Sequence, residues 1–241
     1  MSSLSEQLHS LRSKHLKNER SIWVRTPLTD ESPRNLVIFL DGELYREKVG
    51  ATGVIDQLVK AEDIPPTIFI FVSMVSMETR AIECPCYPSF AHFIIEELLP
   101  WLERQEPDIK NCDNRTLVGL SYTGLAATYV ALRSPNTFTK IISQSGSYWW
   151  NDCWLVEQYA RLKTQLPIEF YLDVGNKEIQ TEVDHGHVQQ AISQIEGVSR
   201  LRDVLFESGH TVNYFEFDGH HDTAKWRETL PGALKWVLNE T

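Results

Sequence analysis

No run of about 18 apolar residues occurs in this chain, so no helix is expected to span a bilayer. Positive charge does not predominate either: 23 Lys and Arg stand against 33 Asp and Glu, a formal net charge of −10. A chain so balanced lacks the basic face that phosphate binding needs, which argues against a general binder of nucleic acid or of anionic membranes. The acidic residues are spread out rather than gathered in a tail, and they read as a means of solubility. Cysteine is scarce, with Cys84, Cys86, Cys112 and Cys153 making four. The spacing of Cys84 and Cys86 is not the C-x-x-C of a zinc or redox motif, and a disulfide between them would be strained, so all four read as free thiols. The polar start "MSSLSEQLHSLRSKHLKNER" has no apolar segment of the secretory kind, and the chain reads as cytoplasmic. There is no internal repeat, low-complexity tract or Pro/Gly-rich linker, and residues 1–241 read as one domain.

What is present is a regular alternation. Apolar runs at Glu19 to Pro27, Asn35 to Glu43, Thr67 to Met74, Arg115 to Ser121, Phe138 to Gly146, Ile168 to Asn176 and Thr211 to Gly219 predict strands. The middle runs lack strict alternation, as strands covered on both faces of a parallel sheet do. Helical patterns lie between them at Val54 to Ala61, Phe90 to Glu103, Gly124 to Arg133, Trp154 to Lys163, His187 to Phe206 and Lys225 to Leu238. A further surface helix is expected over "EQLHSLRSKHL" near the N-terminus. Strands alternating with helices predict a doubly wound α/β sheet.

In such sheets the chemistry gathers beyond the carboxyl ends of the strands. The residues expected there are Asp41, Gly42 and Glu43, then Arg80, Ser121, Ser145 to Trp150, Glu178, and His220 with His221. A serine hydroxyl is a weak nucleophile until a histidine takes its proton and an acid orients that histidine. Ser121, Glu178 and His221 follow one another in the chain order of the α/β-hydrolase fold. In "VGLSYTGLAA", Gly119 and Gly124 flank the serine. The pattern departs from G-x-S-x-G, because Thr123 stands at its last position and the glycine comes one residue later. Asp173, inside a strand, and Asp184, on the next loop, are the other carboxylates considered for the acid.

Ordered matches over Glu19 to Leu230 make the chain similar to the catalytic domain of the enterochelin esterase family, among the esterase D-like and feruloyl esterase-like α/β-hydrolases. They are "ERSIWVRTP", "LVIFLDGE", "TRAIECPCYPSFAHFIIEELLPWL", "VGLSYTGLAATYVALRSPNTFTKIISQSGSYWW" and "DGHHDTAKWRETL". His220 replaces the second glycine of that family's G-G-H-D, and alignment on Asp222 makes His221 the base. The resemblance implies a serine esterase with no cofactor and no metal, acting on a small-molecule ester, and a catecholate siderophore such as enterochelin as the substrate, iron-bound or iron-free. It implies oxyanion donors at the N–H of Tyr122 and in the loop at Gly42 or Glu43. Alternatives are a general carboxylesterase for feruloyl, acetyl or thiol esters, and an inactive binding protein of the same fold.

Other residues carry two readings each. Arg80 and Glu83 form a structural ion pair, or they face the substrate from a loop that borders the site. Tyr148, Trp149 and Trp150 are core, or together they wall a ring-bearing substrate. Arg46, after the L-D-G-E loop, is a further candidate cation. His220 reads as a lining residue. His185 and His187 lack a third ligand at useful spacing, which disfavours a metal site.

Overall fold

The computed structural model describes residues 3–186 and 188–239. Eight strands form one sheet in the order β1-β2-β4-β3-β5-β6-β7-β10. Their ranges are β1 (Leu4–Arg12), β2 (Glu19–Pro27), β3 (Asn35–Leu40), β4 (Thr67–Val72), β5 (Asn114–Leu120), β6 (Lys140–Gln144), β7 (Glu169–Gly175) and β10 (Val212–Phe217). β1 and β2 are antiparallel to each other, and β2 to β4; from β4 to β10 every pairing is parallel. The architecture is that of the α/β-hydrolase fold. β3 explains why the apolar runs do not alternate. Leu36, Ile38 and Leu40 enter one hydrophobic core while Val37 and Phe39 enter the other, so both faces are covered. One face is covered by α1 (Ala51–Lys60) and α8 (Thr223–Leu238). The other is covered by α3 (Pro88–His92), α4 (Leu99–Gln105), α5 (Tyr122–Arg133), α6 (Trp150–Ala160) and α7 (Gln194–Glu207). α3 runs into α4 through a π-helical turn, Phe93–Leu98, which together make up the helix expected there.

Two expectations fail. "EQLHSLRSKHL" is not a helix: β1 occupies Leu4–Arg12 and pairs with β2 from Leu4↔Pro27 to Arg12↔Glu19. The leucine spacing suits a helix face, but the free edge of β2 supplies backbone partners for the whole segment, and Leu8 is left 62% exposed. The helix expected from His187 begins only at Gln194, behind a small hairpin of β8 (Val183–Asp184) and β9 (Gln189–Gln190). The signal for that start was in the sequence: Ser193 accepts the Glu196 N–H at 3.2 Å, the S-x-x-E pattern of an N-cap. A short helix, α2 (Met77–Glu83), was not foreseen; it is capped by Ser76 and carries Arg80 to the site. Among the described residues no helix is long and apolar enough to cross a membrane.

Candidate active site

β5 ends at Leu120 and α5 begins at Tyr122, so the whole strand-to-helix turn is Ser121. Its backbone is left-handed, φ 52° and ψ −121°, a strained conformation for a residue with a side chain and one that recurs at functional turns. Gly119 makes the turn possible, since a Cβ there would meet the Thr123 carbonyl oxygen at 2.1 Å. The Ser121 N–H is tied to the Gln144 carbonyl (2.9 Å), and its Oγ lies 3.3 Å from the Ser147 hydroxyl.

Ser121 lines a cavity of about 410 Å³ together with Arg80, Tyr122, Trp149, Glu178 and His221. Glu178 is 6% exposed and fully engaged. One carboxylate oxygen accepts the Ser145 hydroxyl (2.7 Å) and the Gly175 N–H (2.8 Å); the other lies 2.5 Å from His221 Nδ1. A Cβ at Gly175 would meet the Gly219 carbonyl at 2.4 Å and Glu178 Oε1 at 2.9 Å, so glycine lets the ends of β7 and β10 close around the acid. Trp226 stands edge-on to His221 (centroids 4.8 Å) and donates its indole N–H to Ser145 (3.0 Å). Asp222 caps α8 by accepting the N–H groups of Ala224 and Lys225 (2.9 and 3.0 Å), which fixes where His221 leaves the loop. Of the two other carboxylates considered, Asp184 is exposed and bonds the Gly186 N–H, and Asp173 is buried inside β7.

Asp173 is nonetheless informative. Thr229 and Gln144 donate to its Oδ2 (2.6 and 3.4 Å), while Oδ1 has no partner. Burial is the main cause that lifts its pKa from 3.8 to about 7. The folded chain therefore keeps this proton where the unfolded chain has lost it. The associated stability is full below about pH 4 and is lost as pH rises toward 7. Asp173→Asn is expected to remove that fall from a plot of melting temperature against pH. Parallel wild-type and variant curves between pH 4 and 8 would refute it.

Arg80 and Glu83 do not pair. Arg80 binds both oxygens of buried Asp41 (3.0 and 2.8 Å), and Glu83 binds Arg20 and Asn18. Trp149 lines the cavity, with its N–H on Gln194 Oε1 (2.6 Å) and its ring stacked on His185 (5.1 Å, 10°). Tyr148 is core, bonding Thr128 and Ser143. Trp150 is not a wall of the cavity, because it opens α6 and packs on the hydrophobic core. Arg46 does not line the cavity; it pairs with Glu6 and stacks on Trp23 (4.8 Å). Gly42 and Glu43 follow Asp41; the Glu43 side chain accepts the Met74 N–H (3.1 Å), and neither residue lines the cavity. His220 is an exposed lining residue, and His187 lies outside the described residues. No cluster of three metal-ligating side chains occurs among the described residues. The four cysteines are free and buried, and burial raises each thiol pKa, which makes them poor nucleophiles.

The sequence reading missed Lys177, Gln180, Val183 and Gln190, from the segment between β7 and α7, and Gln194, the first residue of α7, which also line the cavity. Ser145 and Ser147 were expected at a strand end, but the alternating serines of "SQSGS" were given no role. Ser143 bonds Tyr148, Ser145 bonds Glu178, and Ser147 reaches Ser121.

The Esterase family model matches residues 13–237. The iron(III) enterobactin esterase of Escherichia coli K12 is 32% identical over 230 residues, 92% of this chain and 54% of that protein. That of Dickeya dadantii is 30% identical over 232 residues, 94% of this chain and 53% of that protein. The enterobactin esterase of Shigella flexneri, crystallised in the presence of enterobactin, superposes with a TM-score of 0.83 at 25% identity, covering 97% of this chain and 59% of that one. The chain thus spans about half the length of the curated relatives it matches. With nearly its whole length matched by the model, the chain belongs to the Esterase family.

Proposed function

We propose that this chain is a serine esterase and that its substrate is the ester of a catecholate siderophore. The observation that carries the first part is the 2.5 Å contact between His221 Nδ1 and buried Glu178, in a cavity that Ser121 also lines. With Nδ1–H held by the carboxylate, the histidine presents Nε2 as the base. Ser121 attacks the carbonyl carbon while His221 takes its proton; the proton returns to the leaving alcohol. Water repeats the sequence on the acyl-enzyme. The N–H of Tyr122, in the first turn of α5, receives the developing oxyanion; a second N–H, at Gly42 or Glu43, has to reach it from just outside the cavity lining, next to Asp41, whose partner Arg80 is part of that lining.

The substrate reading rests on the lining and on the relatives. Arg80, Lys177, His185 and His220 gather basic side chains at the cavity of a chain whose net charge is −10. Trp149 and Tyr122 add aromatic rings, 5.9 Å apart between centroids. An anionic, ring-bearing ester matches both features. Lys177 is half exposed and pairs with Asp218 (2.9 Å), a solvent-exposed ion pair of the weak kind that a charged ligand can replace.

The test is turnover of ferric and iron-free tri-catecholate lactones beside simple aryl esters and feruloyl esters. Lactone hydrolysis is expected. Lys177→Ala is expected to raise KM severalfold for the ferric lactone and less for a neutral aryl ester. Brisk turnover of simple esters with no attack on either lactone would leave a general carboxylesterase. No turnover and no labelling by a fluorophosphonate would leave a binding protein.

A further inference from the structure

The departure at Thr123 has a structural counterpart one strand away. The β3–β5 ladder ends at Phe39↔Val118, and continuing its register puts Asp41 level with Leu120. There the chain turns out of the sheet, with φ +63° at Asp41. Leu120 would be left without a neighbour on that side, and side chains take the place of the strand. Its N–H donates to the Thr123 hydroxyl oxygen (2.9 Å), and its carbonyl accepts from Arg80 Nη2 (3.2 Å). Asp41 then joins the two, accepting from Arg80 Nε (3.0 and 2.8 Å) and from the Thr123 hydroxyl (2.9 Å), whose single proton it shares with the Leu120 carbonyl (2.8 Å). Asp41, Thr123 and Arg80 are all buried, at 1%, 0% and 8% exposure, so each lost bond would leave a polar group without water.

We propose that Asp41 and Thr123 are positioning residues for the reaction, clamping the serine turn to the loop after β3 so that the two halves of the oxyanion site keep their spacing. The inference rests on the serine-esterase reading. Its logic is one of adjacency. Tyr122 immediately precedes Thr123, and Gly42 immediately follows Asp41, so one hydrogen bond between Thr123 and Asp41 spans the segments that carry the two donors. Neither side chain takes a proton or touches the ester. Their effect falls on the transition state, where donor spacing matters, and little on ground-state binding.

The experiment compares Thr123→Val, which keeps shape and removes the hydroxyl, with Thr123→Ser, which keeps the hydroxyl. Thr128→Val is the stability control, because Thr128 is buried in the same helix and bonds Gly124 and Tyr148 away from the cavity. Wild type is first labelled with a fluorophosphonate; absence of label at Ser121 would count against the esterase reading itself. Given labelling, Thr123→Val is expected to lose about 10- to 100-fold in kcat on an aryl ester, with KM within about threefold. Thr123→Ser is expected to stay within about threefold of wild-type kcat, and Thr128→Val to lose melting temperature without comparable loss of kcat. Should Thr123→Val not fold, Thr123→Ala carries the same expectation. Retention of wild-type kcat in the variant lacking the hydroxyl would overturn the proposal. So would an equal fall in Thr123→Ser, or a fall matched by Thr128→Val.

Discussion

Ser121→Ala is expected to lower kcat for ester hydrolysis by at least about 10³-fold and to abolish fluorophosphonate labelling, while the far-ultraviolet spectrum and melting temperature stay near wild type. His221→Ala is expected to cost about as much, and the double variant little more, because nucleophile and base act as a unit. Glu178→Gln tests the orienting bond. A glutamine can still accept from Ser145 and Gly175, but its amide N–H₂ would face His221 Nδ1–H, two donors where donor and acceptor now meet. The ring would then hold its proton on the wrong nitrogen, and a loss of at least about 10²-fold, smaller than that of Ser121→Ala, is expected. His220→Ala is expected to keep substantial turnover. An inactive His220→Ala beside an active His221→Ala would place the base at the wrong histidine of "DGHHD".

Glu83→Ala is expected to destabilise the fold by about 3–5 kcal/mol, measured by urea or thermal unfolding. Glu83 is the carboxylate partner of Arg20, whose side chain is wholly buried beneath the rings of Phe90 and Phe93 (5.7 and 5.4 Å). Arg20 also donates to the Ser73 carbonyl (2.5 Å). Burial lowers the arginine pKa to about 10, which leaves the group charged at neutral pH. Removing Glu83 strands that charge away from water. At this chain length the loss corresponds to a melting temperature lower by roughly 10 °C. Removing both partners, as in Arg20→Met with Glu83→Leu, is expected to recover most of it, since no unpaired charge remains. A change below about 1 kcal/mol in Glu83→Ala would show that water or a rearranged neighbour solvates the guanidinium.

The two residue pairs differ in how visible they were beforehand. Ser121 and His221 each stand two residues after a glycine, Gly119 and Gly219, at the end of an apolar run, and local sequence is enough to mark such places. Glu83 sits three residues after Arg80 and reads as its partner, yet each binds a residue of another part of the chain. Long-range pairing of this kind follows from where β2, β3 and α2 are packed, and no spacing in the chain encodes it.

The parallel sheet, its order of helices and strands, and the arrival of Ser121, Glu178 and His221 at strand ends were legible in the sequence. The period of apolar residues and the turn-forming glycines are local properties of the chain, and the burial of both sheet faces follows from them. Tertiary structure alone decided three things. A helix-like leucine spacing became β1 because the edge of β2 was there to pair with it. Arg46 went to Glu6 and Trp23 instead of to the site, and Trp150 to the core, because side-chain direction depends on packing and not on distance along the chain. Lys177, Gln180 and Gln190 came to the cavity because the segment between β7 and α7 lines it. Thr123 shows the two together: its departure from glycine is visible in ten residues, but its reason is a carboxylate 82 positions earlier, met only where β3 leaves the sheet.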